Sequence, residues 1–375
     1  METIGIICEY NPFHRGHEKQ FQAIHKEFPD GGIVCLMSGN FVQRGAPAII
    51  DKSLRAKAAV FSGADLVLEL PVTASLSSAE GFASEGVRIL SGFCDKLCFG
   101  AETGTAEAFM ETAQALLSPA FSEALKLHLD KGLSFPAARQ AALGSDLLTR
   151  PNDILGAEYC KAILAQESPM KPLVIRRAGD YHADTPDLEN PSATAVRQLM
   201  LENRDWLDYV PEKASACFIG AAIHSIPLGE KAILARLRCM TEDEFALLPH
   251  GSEGLWRKFM HAVRKHAGIE DIMTAVKSKR YTRTRLDRML MCAYLGITQQ
   301  MLASPAPYVR VLAFNDRGRE ILKQARKHGQ FINAGEDTGT SYQAFETLCG
   351  DLYGLLSATP EAPGAENARR VEYIR

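Results

Sequence analysis

Gly5-Ile-Ile-Cys-Glu-Tyr-Asn-Pro-Phe-His-Arg-Gly-His17 is the stretch on which the fold turns. Ile4 to Ile7 is a short apolar run and reads as a buried strand. Asn11-Pro12 breaks the chain. From Gly16 the pattern becomes helical, with Phe21, Ile24 and Phe28 on one face. The order strand, turn, helix makes this the first βα unit of a sheet. It sets His14, Gly16 and His17 at a helix N-terminus, where free N–H groups and the positive end of the helix dipole already favour phosphate. Imidazoles add donors that follow charge onto a phosphate in a transition state, and glycine lets a ligand approach the backbone. An HxGH turn of this kind points to ATP-using adenylyl transfer, with His14 and His17 as the catalytic pair. The bland alternative is chance placement, since ten histidines are spread over the chain. The correct order of the flanking strand, breaker and helix weighs against it.

Outward from that turn, strand-like runs at Ile4–Cys8, Gly32–Met37, Leu66–Leu70, Lys96–Phe99 and Pro172–Ile175 alternate with helix-like ones. Helices are expected at Gly16–Phe28, Lys52–Ser62, Ser75–Ser91, Thr105–Leu117 and Asp153–Gln166. This βαβα rhythm predicts an α/β fold, a doubly wound, Rossmann-like, parallel five-stranded sheet that binds ligands at the carboxyl ends of its strands. After about Arg204 the rhythm changes. Glu212–Arg238, Glu242–Ala267 and Ile269–Leu295 read as helices, and the next strand signal is Tyr308–Phe314. The expected organisation is a catalytic domain over residues 1–204, a mainly helical domain over 205–356 and a loose tail over 357–375, rich in Ala, Pro and Glu.

Composition bounds the class. The 375 residues are 46% apolar and 23% charged, with a formal net charge of -3, so local charge must decide about nucleic acid. No apolar run is long enough to cross a bilayer, and Glu2 stands where a secretory signal would carry positive charge. Nine cysteines are scattered, with Cys94 and Cys98 the closest pair and no second pair to complete a zinc site. The expectation is a cytoplasmic protein with reduced thiols and no structural metal.

Several polar stretches fall at the expected binding edge. Ser38-Gly-Asn-Phe-Val-Gln-Arg-Gly45, followed by Asp51-Lys-Ser-Leu-Arg55, is either a solvated loop with Asp51 as a helix cap or a substrate rim of Gln43, Arg44, Lys52 and Arg55. Gly100, after the fourth strand, permits close approach to an adenosine or ribose. Asn152 either caps a helix or reads the adenine edge. Arg176 and Arg177 end the fifth strand as candidates for bidentate phosphate contact. Ser192 and Thr194 are natural N-cap hydroxyls, and Arg197, one turn in, is placed to hold the β- or γ-phosphate; a plain capped surface helix would look much the same. Between Trp256 and Leu290 stand ten Lys or Arg against three Asp or Glu. The densest part comprises Lys277, Lys279, Arg280, Tyr281, Arg283 and Arg285, with Arg288 beyond. Such a run is usually a solvated face. Clustered cations also suit an RNA backbone, and an aromatic among them can stack on an unpaired base.

Taken together, the Gly5–His17 and Ser38–Gly45 stretches, Gly63-Ala-Asp-Leu-Val-Leu-Glu-Leu-Pro71, Cys98-Phe-Gly-Ala-Glu102 and Pro151-Asn-Asp-Ile-Leu-Gly156 resemble the bacterial tRNA(Met) cytidine acetate ligase family. The resemblance runs in order through the first half and continues more thinly through Ser192–Arg197 and the basic helix to Tyr308-Val-Arg-Val-Leu312. It implies an HxGH nucleotidyltransferase-like domain joined to an RNA-binding one, with ATP, acetate and elongator methionine tRNA as substrates and Mg2+ on the phosphates. It implies an acetyl-adenylate intermediate, formed with release of pyrophosphate, before the wobble cytidine takes the acetyl group and AMP leaves. The implied ATP contacts are Ile7, Cys8, Glu9, Tyr10, Asn11, Pro12, Phe13, His14, Arg15, Gly16, His17, Glu18, Lys19, Gln20, Gly100, Asn152 and Arg177. Ser192 and Arg197 join them from the residue reading. The family often has Asn where this chain has Arg15, and Ser where it has Ala101. Two other readings share the HxGH turn. One is an adenylyltransferase acting on a small phosphorylated acceptor, which would not need the basic half. The other is a non-catalytic protein that binds ATP and RNA.

Overall fold

The computed structural model describes residues 1–176, 188, 191–325 and 331–375. Its strands are β1 (Thr3–Cys8), β2 (Gly32–Ser38), β3 (Phe41–Val42), β4 (Ala46–Pro47), β5 (Leu66–Leu70), β6 (Lys96–Ala101), β7 (Lys171–Arg176), β8 (Val309–Phe314), β9 (Phe331–Asn333) and β10 (Glu372–Tyr373). The five strands read from the sequence form the parallel part of one sheet, in the order β5-β2-β1-β6-β7. Every residue of β2 and β5 is buried, as expected for parallel strands covered on both faces.

Alternation along the strands feeds two cores. Ile4, Ile6, Ile33, Cys35 and Met37 face one side. There they meet α1 (Arg15–Glu27), α2 (Lys52–Phe61), α9 (Ala193–Leu201) and α10 (Glu212–Phe218). Val34, Leu36, Leu66, Leu68, Leu97 and Phe99 face the other. They meet α4 (Ala79–Leu90), α5 (Ala106–Leu116) and α8 (Pro151–Ala165), while the short α3 (Val72–Ser75) follows β5 and α6 (Pro119–Asp130) with α7 (Phe135–Leu143) bridges α5 to α8. A third core unites α11 (Glu230–Cys239), α12 (Glu242–Ala246), α13 (Leu255–Lys265), α14 (Ile269–Val276), α15 (Arg283–Leu295) and α18 (Ser341–Gly354), with α16 (Gln299–Ala303) alongside. Phe41 and Leu76 reach into it from the first half.

The chain does not divide where the sequence reading cuts it. α10 lies beyond residue 204, yet its Ala214 and Phe218 are buried in the sheet core. β8 returns to pair antiparallel with β5, β9 pairs with β8, and α17 (Asp316–Ala325) packs on the sheet through Ile321 and Leu322. An apolar strand such as Val-Arg-Val-Leu-Ala-Phe loses a solvent-exposed edge by joining the sheet already present. The final segment is no loose tail. α19 (Ala365–Ala368) carries Glu366, 2% exposed, and β10 pairs parallel with β8. Its composition reads as solvated because two charged residues tie it down. Glu366 meets Lys52 and Arg310, and Arg369 meets Asp51.

Candidate active site

The chain runs from β1 through β2 to β5 on one side of the sheet, then from β6 to β7 on the other. The strand order therefore reverses between β1 and β6, and the crevice at the carboxyl ends there is where such sheets bind ligands. α1 begins at that crevice. His14 is its N-cap, with extended backbone (φ -144°, ψ 172°). Gly16 N–H donates to His14 Nδ1 at 3.1 Å, and His14 N–H donates to His17 Nδ1 at 3.2 Å. This is a capping box built from imidazoles in place of Ser and Glu. Both Nδ1 atoms accept, so in the neutral rings the proton sits on Nε2. The two rings stack at 3.7 Å with 26° between their planes.

The bed beneath them is aromatic. Tyr10 packs edge-on against Phe13 at 4.9 Å and against His17 at 4.9 Å, and Phe13 lies 5.5 Å from His17. Tyr10 and Phe13 are fully buried and His14 nearly so. These contacts restrict the imidazole rotamers before any ligand arrives. Gly16 is required locally. A Cβ there would lie 2.9 Å from His14 Cε1, and it would also approach Pro191 O at 3.7 Å. The segment leading into α9 therefore passes against the N-terminus of α1. Ser192 caps α9 by accepting from Ala195 N–H at 3.0 Å. Arg197 reaches back across the gap, donating to Asn11 O at 2.7 Å and to Thr194 Oγ1 at 3.0 Å. Two helix N-termini thus converge on one turn, and their dipoles add toward an anion.

The remaining turn residues divide by burial. Asn11 is buried and its Oδ1 accepts from Ile49 N–H at 2.7 Å. Ile7 packs against Gly86 of α4, and Pro12 is buried. Cys8 Sγ donates to Leu36 O at 3.7 Å, and burial pushes both its thiol and the Tyr10 phenol up, an environment that disfavours the thiolate. Arg15 and Lys19 are exposed, with Arg15 Nε donating to Asp208 O at 2.6 Å. Glu18 and Gln20 are half-buried, and Gln20 Nε2 donates to Cys98 Sγ at 3.6 Å.

Gly100 lies near the carboxyl end of β6, beside Ile175 of β7. Asn152 is the second helical residue of α8 and not its cap. Its Nδ2 donates to Glu102 Oε1 at 2.8 Å, so the carboxylate following β6 serves the α8 N-terminus. Asp153, fully buried, accepts from Glu102 N–H at 2.7 Å and Thr103 Oγ1 at 2.5 Å. The sequence reading missed both acids; Glu102 two residues after the strand-end Gly100 and Asp153 next to Asn152 were the available signal. Arg177 lies outside the described residues.

The proposed rim is corrected at two of its four positions. Gln43 and Arg44 do sit at the tip of the β3–β4 hairpin, where Gln43 N–H donates to Glu9 Oε1 at 2.9 Å. Lys52 and Arg55 are buried. Lys52 Nζ meets Glu69 at 2.6 Å and Glu366 at 2.8 Å. Arg55 donates to Ile50 O at 2.8 Å, to Ser38 O at 3.2 Å, and to the carbonyls of Glu9 and Gly39. The strand ends leave these carbonyls without ladder partners, and a buried C=O needs a donor. Arg55 therefore fixes the turn from below.

The basic run is also sorted by the fold. Lys277, Lys279 and Arg280 are exposed, Arg280 beside Glu253 at 2.9 Å. Arg283 is held by Glu270 at 2.6 Å and Asp287 at 2.8 Å. Arg285 donates to His250 O at 2.8 Å and lies 5.2 Å over the Tyr281 ring, which packs against the helical core instead of standing open to a base. Arg288 turns inward to Gln43 O at 3.4 Å.

A helix N-terminus capped by stacked imidazoles at a topological switch point is the geometry of a nucleotidyl transferase domain, and the family model described as HIGH Nucleotidyl Transferase matches residues 1–364. The tRNA(Met) cytidine acetate ligase of Alkaliphilus metalliredigens is 39% identical over 368 residues, covering 88% of this chain and 87% of its own length. The one from Clostridium perfringens is 35% identical over 390 residues, covering 95% and 96%. The crystal structure of apo Thermotoga maritima TmcAL matches with a TM-score of 0.93 at 28% identity over 100% of both chains, and the form bound with alpha-thio ATP with 0.89. The chain belongs to the tRNA(Met) cytidine acetate ligase family of HIGH nucleotidyl transferases.

Proposed function

We propose that this protein uses ATP to join acetate to the exocyclic amine of the wobble cytidine in elongator methionine tRNA. The observation that carries the reading is the imidazole capping box at the convergence of α1 and α9. An acetate oxygen attacks the α-phosphorus of ATP. The O–P bond forms as the bond to the bridging oxygen breaks, and pyrophosphate leaves. The cytidine amine then attacks the carbonyl carbon of acetyl-adenylate, AMP leaves, and the amine proton passes to solvent. His14 and His17 donate from Nε2 as charge builds on the phosphate oxygens, and the α1 N-terminus adds its dipole. Arg197 holds the turn and faces the phosphates, and Arg177 is proposed as a second cation for them. Acetate and triphosphate repel each other, so these cations also allow both to be bound at once. The donors at the turn are N–H groups, which suit phosphate oxygens and not a cation. Magnesium therefore enters on the nucleotide, as is usual for this ion. The tRNA is met by the exposed basic loop of Lys277, Lys279 and Arg280.

The test is incubation with ATP, labelled acetate and total tRNA, followed by nucleoside analysis. Label in acetylated cytidine, together with acetate-dependent exchange of pyrophosphate into ATP, is the expected result. Absence of both would refute the reading.

A further inference from the structure

We infer that the outer face of α13 is a docking ridge for the phosphate backbone of the RNA, an assignment that rests on the function proposed above. At 3.6 residues per turn, Arg257, Lys258, His261, Arg264 and Lys265 fall within an arc of about 120°. All five are exposed. The opposite arc carries Leu255, Phe259, Ala262 and Val263, all buried in the helical core. The helix Leu-Trp-Arg-Lys-Phe-Met-His-Ala-Val-Arg-Lys contains no carboxylate. Among the described residues, no acidic side chain lies within ion-pairing distance of Arg257, Lys258, Arg264 or Lys265.

The contrast with α15 carries the inference. In the densest part of the basic run, Arg283 is spent on Glu270 and Asp287, Arg285 on backbone and Ser252, and Arg288 on Gln43. Among the described residues of this run, the cations with neither an ion pair nor a hydrogen bond are Arg257, Arg264 and Lys265 of α13 and Lys277 and Lys279 of the loop that follows α14. The two groups are continuous, because Lys258 Nζ donates to Val276 O at 2.8 Å, one residue before Lys277. Three nearby carboxylates are engaged elsewhere: Glu253 with Arg280, Glu270 with Arg283, and Glu230 with the Ile269 N–H. From Arg257 to Lys265 the ridge is about 12 Å long, enough to run beside successive phosphates of one strand. Arg257 stacks 4.8 Å over the Trp256 ring, which orients its guanidinium without neutralising it. In a chain of net charge -3, a face of cations without carboxylate partners is complementary to a polyanion, whose counterions it releases on binding.

The experiment is binding of methionine tRNA as a function of salt, comparing the wild type with the triple variant Arg257→Gln, Arg264→Gln, Lys265→Gln. Loss of three phosphate contacts lowers the slope of log affinity against log salt by about two to three and weakens binding about tenfold or more near physiological salt. The charge-preserving triple variant Arg257→Lys, Arg264→Lys, Lys265→Arg keeps wild-type slope and affinity, and both variants melt with the wild type. An unchanged slope in the neutral variant overturns the assignment. So does neutralisation that abolishes binding to anionic phospholipid vesicles while leaving tRNA binding intact, since the ridge would then serve a membrane. If the wild type neither binds nor acetylates tRNA, the proposed function itself falls.

Discussion

His17 does two separable things, and two substitutions pull them apart. Its Nδ1 accepts the His14 N–H at 3.2 Å, closing the capping box, and its ring stacks on His14 at 3.7 Å. In the neutral ring its Nε2 carries the proton assigned to the phosphates. His17→Ala removes both functions. Loss of the cap costs about 1 kcal/mol of stability. Loss of a transition-state donor costs about a hundred- to a thousandfold in rate, or about 2.7–4 kcal/mol. His17→Asn removes only the second, because Asn Oδ1 stands where Nδ1 stood and still accepts the His14 N–H, while nothing reaches the Nε2 position. Acetate-dependent exchange of labelled pyrophosphate into ATP reads the rate, and thermal denaturation reads the cap. His17→Asn is expected to melt within a degree or two of the wild type and to lose exchange as fully as His17→Ala. Should His17→Asn keep a third or more of the exchange while His17→Ala loses it, His17 is a helix cap and the catalytic reading fails.

Three further outcomes follow from the buried junction between the sheet and the helical unit. Lys52→Met strips the lysine shared by Glu69 and Glu366, leaving Glu69 to Arg310 and Glu366 to Arg310 and Arg369; about 3–5 kcal/mol of stability is lost, and an unchanged urea midpoint would contradict the network. Gly45→Ala is expected to be poorly folded. Gly45 sits at φ +81°, and an added Cβ would lie 2.2 Å from Arg288 N, a backbone atom with no room to yield; a soluble variant with wild-type melting would exclude this packing. Glu346 titrates against the usual carboxylate pattern. Burial pushes it up to about 7 from 4.5, although Arg310 opposes the shift. The folded carboxyl therefore keeps a proton that the unfolded chain has lost, and its contribution to stability fades as pH rises from about 4.5 to about 7. Glu366 runs the other way. Burial alone would raise it, but Lys52 and Arg310 hold it near about 2, so its contribution is present above 4.5 and lost on acidification. Glu346→Gln should flatten the fall in melting temperature over the first window and leave the acid limb in place; a fall as steep as the wild type's assigns the window to another group.

The parts of the fold that were legible were those encoded by local pattern. Gly-Ile-Val-Cys-Leu-Met-Ser announces a strand covered on both faces, and β2 is that strand. Phe21 and Ile24 announce the buried face of α1. Long-range pairing left no such mark. Val309–Phe314 reads as a strand, yet nothing in it specifies that Phe314 pairs with Leu66. Lys52 and Arg55 read as rim because a cation in a glycine-rich stretch is ordinarily solvated. The missed clue lay elsewhere, in Glu69 within Leu-Val-Leu-Glu-Leu and Arg310 within Val-Arg-Val-Leu-Ala-Phe. A charge inside an apolar strand requires a buried partner, and these two are partners at 3.1 Å. In the basic run, the sequence supplied the number of cations but not their partners; Arg283 is recognised as neutralised only once Glu270 is known to stand beside it.

The connection between the two halves bears on how a two-step reaction is kept on one protein. In the proposed reaction acetyl-adenylate is prone to hydrolysis, which favours a helical unit seated firmly against the imidazole turn. The helical core reaches that turn in few steps. Arg288 of α15 donates to Gln43 O, and Gln43 N–H donates to Glu9 Oε1 immediately after β1. Arg55 binds the Glu9 carbonyl from beneath. The close approach of Gly45 to the α15 backbone leaves the hairpin no freedom to slide. A flexible linker would give the target base only a modest effective concentration at the adenylate, whereas a fixed geometry converts the second step into a nearly intramolecular one. The residues that join the halves are therefore as constrained by the proposed chemistry as the imidazoles.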